Sequence, residues 1–162
     1  MSNSSHKFGG PWTQQKLSCL KDYLSSYMKI FTANEAAKHL KPHYIDVFAG
    51  TGHWVAKGNT ELQSMSLNIL TEFSDAIPFQ EGSVTIALEQ DPPFQKYIFV
   101  DIDEDHVNQL QDLTIQYPHL ESRIEIKHKE ANRFLRDWCS KMEARDRAVL
   151  FLDPYGDRKS VV

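Results

Sequence analysis

Cysteine is scarce in these 162 residues, with Cys19 and Cys139 the only two. They stand 120 positions apart, and neither belongs to a CxxC pair or to a Cys/His cluster with metal-ligand spacing, so no metal site is expected. Both read as buried free thiols. Basic residues are also in short supply, with 18 Lys and Arg against 22 Asp and Glu for a net charge of -4. That balance lacks the cationic footprint of a protein that grips phosphate backbones unaided. The segment 123–147 does hold eight basic and five acidic residues, which reads first as a solvated helix face, and nucleic acid as a partner is not supported by charge. Long apolar runs are missing as well. No stretch approaches the roughly 18 residues of a membrane span, and the opening MSNSSHKFGG has no apolar signal core. A cytoplasmic protein with no membrane partner is the expectation.

What is present suits one globular unit, since 41% of residues are hydrophobic and the length is short for two domains. Residues 1–10 read as a disordered tail and 11–162 as a single α/β domain. Thr13 can cap a first helix whose Leu17, Leu20, Leu24, Tyr27, Met28 and Phe31 form one stripe, with Trp12 and Leu17 placed for a hydrophobic staple. The region of Pro42 should end the next helical segment, and residues 44–48 should begin a central strand. Leu62, Met65, Ile69, Leu70 and Phe73 suggest a helix inside an insertion. The stretch EGSVTIALEQ is ambiguous, because Ser83 can cap a helix while Val84, Thr85 and Ile86 favour a strand; the need for a crossover tips it to helix. Strand 97–103 (YIFVDID) then leads through the cap Asp103 to a helix with Val107, Leu110, Leu113 and Tyr117, stopped by Pro118. Strand 123–128 leads through Glu130 to a helix carrying Phe134, Leu135, Trp138 and Met142, and 148–156 (AVLFLDPYG) is the last strand. Strands alternating with amphipathic helices indicate a parallel sheet covered on both faces.

In such a sheet, ligands bind beyond the carboxyl ends of the strands. Each of the four exits carries polar or flexible residues: Asp46 with Gly50 and Gly52, Asp101 with Asp103, Glu130 with Asn132, and Asp153-Pro154-Tyr155-Gly156. Glycines let a backbone approach a ligand closely, and the same glycines also make an ordinary tight turn. The third glycine of the dinucleotide fingerprint is absent, and Gly52 and Asp101 are 49 residues apart against roughly 20 in that fold, which weakens a nicotinamide-nucleotide reading. A carboxylate at the end of the second strand is a usual partner for ribose hydroxyls, and Asp101 fits. Asp-Pro-Tyr-Gly can hold a planar amine, its oxygen accepting N–H while the ring stacks; it can also be a plain turn. The company of the other three exits favours the site.

DVFAGTG, ALEQDPPFQKYIFVDID, KEAN and FLDPYG, in this order, resemble the three-Cys-motif partner proteins, a bacterial family related to class I S-adenosylmethionine-dependent methyltransferases. The match runs from about residue 16 to 156, and KLSCLKDYL is similar to the family's opening helix. DVFAGTG and the DPY motif also resemble, locally, ribosomal RNA guanine methyltransferases. The resemblance implies a Rossmann-like class I methyltransferase fold with its first four strands, in order 3-2-1-4, plus an N-terminal helix. It implies S-adenosylmethionine as cofactor, held by Asp46, Gly50 and Gly52 around its methionine part, by Asp101 at the ribose and by Glu130 beside the adenine, with Phe48, Asp103 and Asn132 also among the cofactor-binding residues. Asp153, Pro154 and Tyr155 would face the methyl acceptor as catalytic residues. The three cysteines of the family's name belong to a partner protein, which the resemblance makes the expected partner here. Two functions follow as expectations: methyl transfer to an amine, or a non-catalytic docking subunit that keeps the fold.

A complete class I fold has about seven strands, whereas this sequence supplies four and stops six residues after Gly156. DRKSVV reads as a truncated or frame-shifted remnant, or as the end of a naturally shortened gene. On that reading the chain is inactive and self-associates through an exposed C-terminal strand.

Overall fold

A computed structural model describes residues 11–51, 53–54 and 80–153. The expected tail 1–10, Gly52, the helix proposed around 62–73, Pro154, Tyr155, Gly156 and the final DRKSVV lie outside the described residues, as does the side chain of Trp12.

The core is a four-stranded, all-parallel sheet made of β1 (Lys41–Asp46), β4 (Lys96–Asp101), β5 (Ile124–His128) and β6 (Asp146–Phe151), ordered β5-β4-β1-β6. The chain builds outward from β1 through β4 to β5, then returns to the other side of β1 with β6. This is the expected 3-2-1-4 order, consistent with a Rossmann-like fold. A two-residue antiparallel pair stands apart from the sheet, with β2 (His53–Trp54) against β3 (Gln80–Glu81).

Alternation along the strands sorts the side chains to two faces. Tyr44, Tyr97, Phe99 and Val149 join one buried cluster with α1 (Pro11–Ala33), α2 (Ser83–Leu88) and α3 (Glu104–Thr114). Ile45, Val47, Ile98 and Val100 join the other, under α4 (Ala131–Cys139) through Ala131 and Phe134. α1 holds its face by the expected stripe, with Leu20, Leu24 and Met28 buried and Leu17, Tyr27 and Phe31 packed against them.

Several boundaries differ from the sequence expectation. α1 spans Pro11–Ala33, so Thr13 is a helical residue and does not precede the helix as expected. Pro42 lies inside β1 and ends no helix. Its neighbour Lys41 donates its N–H to Arg145 O on the β6 side, so position 42 turns toward β4, whose ladder starts one residue later at His43↔Lys96. A missing N–H costs nothing there. α2 is a helix, as favoured, but Gly82 holds the cap position and Ser83 is the first helical residue. α3 ends at Thr114, before Tyr117, and α4 ends at Cys139, leaving Met142 outside it. β6 begins two residues before Ala148 and closes at Phe151. Both cysteines are exposed, which overturns the buried-thiol expectation. Cys19 sits two positions from Leu17, about 200° round the helix and off the apolar stripe.

Candidate functional site

The carboxyl ends of β1, β4 and β6 assemble three carboxylates around the point where strand order reverses. Asp46, the last residue of β1, is completely buried. Its Oδ1 accepts the Phe48 N–H at 3.1 Å and its Oδ2 accepts the Ser83 hydroxyl at 2.6 Å. Burial pushes the Asp46 carboxyl up to about 7; those two hydrogen bonds oppose the rise, and the charges of Asp153 and Asp101 add to it. Tyr44, two residues back on the same face, is also fully buried, and its hydroxyl has no hydrogen-bond partner among the described residues. Burial, and then the Asp46 charge, raise its pKa well above the ordinary phenol value.

Asp101 closes β4 and organises the loops. Its Oδ2 accepts the Gly50 N–H at 2.8 Å, and its Oδ1 accepts the Asp103 N–H at 2.9 Å. His106 Nδ1 stands 3.3 Å from the same Oδ1. Gly50 has φ 58°, a left-handed conformation that glycine adopts without steric cost, and this aims its amide at the carboxylate. The backbone follows suit: Ala49 N–H donates to Val100 O at 3.2 Å and Lys129 N–H to Asp101 O at 3.0 Å. The exits of β1, β4 and β5 are thereby tied together at Asp101.

Asp153, two residues beyond β6, forms an ion pair with Lys16 of α1. Both side chains remain about one-third exposed, at 31% and 39%. The first helix therefore contributes a cation to the sheet edge.

The residues singled out from sequence thus divide. Asp46, Gly50, Asp101 and Asp153 converge on one edge. Asp103 is exposed and caps α3, accepting the N–H groups of Asp105 and His106 at 2.9 and 3.2 Å. Glu130 does the same for α4 through Asn132 and Arg133, both at 2.8 Å, which holds its carboxyl below the usual range. Asn132 is exposed on the first turn of α4. Phe48 packs half-buried against the cluster under α4. Gly52, Pro154 and Tyr155 are outside the described residues. Sequence reasoning missed Ser83 and Tyr44 at Asp46, Lys16 at Asp153, and His106 at Asp101. Only the opening-helix resemblance hinted at Lys16.

A carboxylate beside a Cβ-free loop can accept hydrogen bonds from two neighbouring hydroxyls. A carboxylate has about four lone-pair sites, so Asp101 retains acceptor capacity beyond its two backbone N–H partners. Gly50 places no Cβ over the approach. A surface groove of about 380 Å³, lined by Leu88, Gln90, Pro93, Tyr117, His119 and Leu120, lies at the opposite, amino-terminal edge and takes no part in this arrangement. Among the described residues, no group of three His, Cys, Asp or Glu has the spacing to hold a metal ion, and no helix is long and apolar enough to cross a membrane.

No protein-family model and no curated protein matches the chain. Among solved structures it is similar to protein LPL1258 from Legionella pneumophila str. Philadelphia 1, described as family-model DUF519, at a TM-score of 0.56 and 16% identity. That likeness covers 88% of this chain and 56% of the solved one, so the chain spans little more than half the length of its structural neighbour. At that identity the similarity speaks for the α/β fold alone.

Proposed function

We propose that the chain is an S-adenosylmethionine-binding, class I methyltransferase-like protein of the cytoplasm, acting on an amine with a three-Cys-motif protein as partner. The observation that carries the reading is the Gly50–Asp101 hydrogen bond, which sets the Cβ-free loop after β1, the strand at which the order reverses, beside the carboxylate that ends the neighbouring β4. In this reading Asp101 accepts from the ribose hydroxyls, and the backbone of residues 48–50 surrounds the methionine part. S-adenosylmethionine supplies an electrophilic methyl on a sulfonium. Asp153 holds the acceptor nitrogen by taking its N–H, and Lys16 fixes the carboxylate that does so. Asp46 is too buried to touch a ligand, and it orders the loop from beneath through Phe48 and Ser83.

A docking subunit without catalysis is the second reading, and one observation favours it: both Asp101 oxygens already serve internal N–H groups, as in a loop that has become purely structural. Tritiated S-adenosylmethionine, offered with amine acceptors in the presence and absence of the partner, separates the two. The enzyme reading expects label transfer that Asp153→Ala abolishes while cofactor binding persists. Binding of the partner without any transfer would establish the docking subunit.

A further inference from the structure

We propose that two copies of the chain join β6 to β6, antiparallel, about a two-fold axis at Leu150, so that Arg147 of each copy faces Asp153 of the other. The inference is independent of the cofactor. It begins with the two edges of the sheet. β5 carries charge along its edge, where Glu125 pairs with Lys96 and, at 3.1 Å, with Lys127. Such charges deter strand addition. β6 pairs with β1 alone among the described strands, and its second half runs Val149, Leu150, Phe151 without a charge.

The hydrogen-bonding direction of β6 is set by β1. Lys41 N–H donates to Arg145 O at 2.8 Å, with Lys41 in register with Asp146. Peptide groups alternate sides along a strand, so those of Arg147, Val149 and Phe151 turn to β1 and those of Ala148 and Leu150 turn outward, with Leu152 continuing the row. An antiparallel partner must meet these outward groups. With the axis at Leu150, Leu150 meets Leu150, Ala148 meets Leu152, Val149 meets Phe151 and Arg147 meets Asp153. Moving the axis to Val149 would oppose Asp146 to Leu152 and Arg147 to Phe151. Moving it to Phe151 would oppose Val149 to Asp153. Only the Leu150 register among these matches apolar with apolar and cation with anion.

Exposure agrees with this register. Leu150 and Leu152 are 40% and 55% exposed on the face that α4 leaves uncovered, and pairing places them against apolar neighbours. The Arg147 guanidinium bonds only the carbonyls of Ala144 and Asp146, at 3.0 and 2.7 Å, and engages no carboxylate among the described residues. Asp153 would then lie between Lys16 of its own chain and Arg147 of the second copy, so pairing adds a residue to the candidate site.

Light scattering on the full 162-residue chain over a concentration series tests the proposal. A reversible dimer is expected. Leu150→Lys sets like charges across the axis and should raise the dimer dissociation constant about tenfold or more. Arg147→Glu should weaken the dimer, and the swap Arg147→Glu with Asp153→Arg should restore it. Should Leu150→Lys unfold the chain, Leu150→Cys in a Cys19→Ser, Cys139→Ser background decides, because residues facing each other at the axis should oxidise to a covalent dimer. A monomer at every concentration would overturn the proposal. So would a dimer indifferent to Leu150→Lys, or failure of Leu150→Cys to cross-link in a dimeric sample.

Discussion

Lys16 of α1 and Asp153 beyond β6 form an ion pair across 137 positions of sequence, tying the first helix to the exit of β6 at the sheet edge where the chemistry is expected.

Because both partners are partly exposed, the pair serves position more than stability. Lys16→Met should lower the unfolding free energy by about 1 kcal/mol or less in urea titrations, the range of solvent-screened ion pairs. Methyl transfer, where an acceptor is found, should fall by a larger factor than that stability loss implies. A loss of several kcal/mol, or unchanged transfer, would contradict this assignment.

Stability should fall as pH rises from the value of an unfolded aspartate, 3.8, to about 7, because of Asp46. Its folded pKa, pushed up to about 7, lies above that of an unfolded aspartate, so between the two the native state holds a proton the unfolded state has lost. The contribution is therefore complete below the unfolded value and gone above about 7, an effect on the order of 4 kcal/mol. Asp46→Asn should flatten this part of the profile in denaturant titrations at a series of pH values. An unaltered slope in the variant would assign the dependence to other groups.

Both thiols should react with a small disulfide reagent in the native protein, without denaturant, since Cys19 and Cys139 are exposed. Release of two equivalents at similar rates is the expected outcome. Reaction only after unfolding would restore the buried reading.

The elements most legible in sequence were those whose local pattern leaves one physical choice. YIFVD is continuously apolar up to an acid, and it is buried on both faces as β4. Asp103 sits where a helix needs an acceptor, and it caps α3. The errors arose where local chemistry has two outcomes. Pro42 reads as a breaker, yet it is tolerated where the neighbouring ladder has not begun. Ser83 reads as a cap, yet its hydroxyl serves Asp46, 37 residues away, a partner that only the folded sheet brings near. The four convergent site residues were legible because parallel strands deliver their carboxyl ends to one edge. Lys16, Ser83 and Tyr44 were not, since no short-range pattern records which side chain a packed helix sets against a strand end.

Calorimetric titration with S-adenosylhomocysteine, on the chain and on Asp101→Ala, tests the central claim most directly. The account predicts that the chain binds and that the substitution weakens binding by about 1.5–3 kcal/mol, the worth of hydrogen bonds to a charged acceptor. Asp101→Asn, which keeps an acceptor for the Gly50 N–H, should lose nearly as much affinity while unfolding at close to the parent temperature. Affinity unchanged by both substitutions would remove Asp101 from the site, and no binding to the folded chain would contradict the assignment of this sheet edge to S-adenosylmethionine.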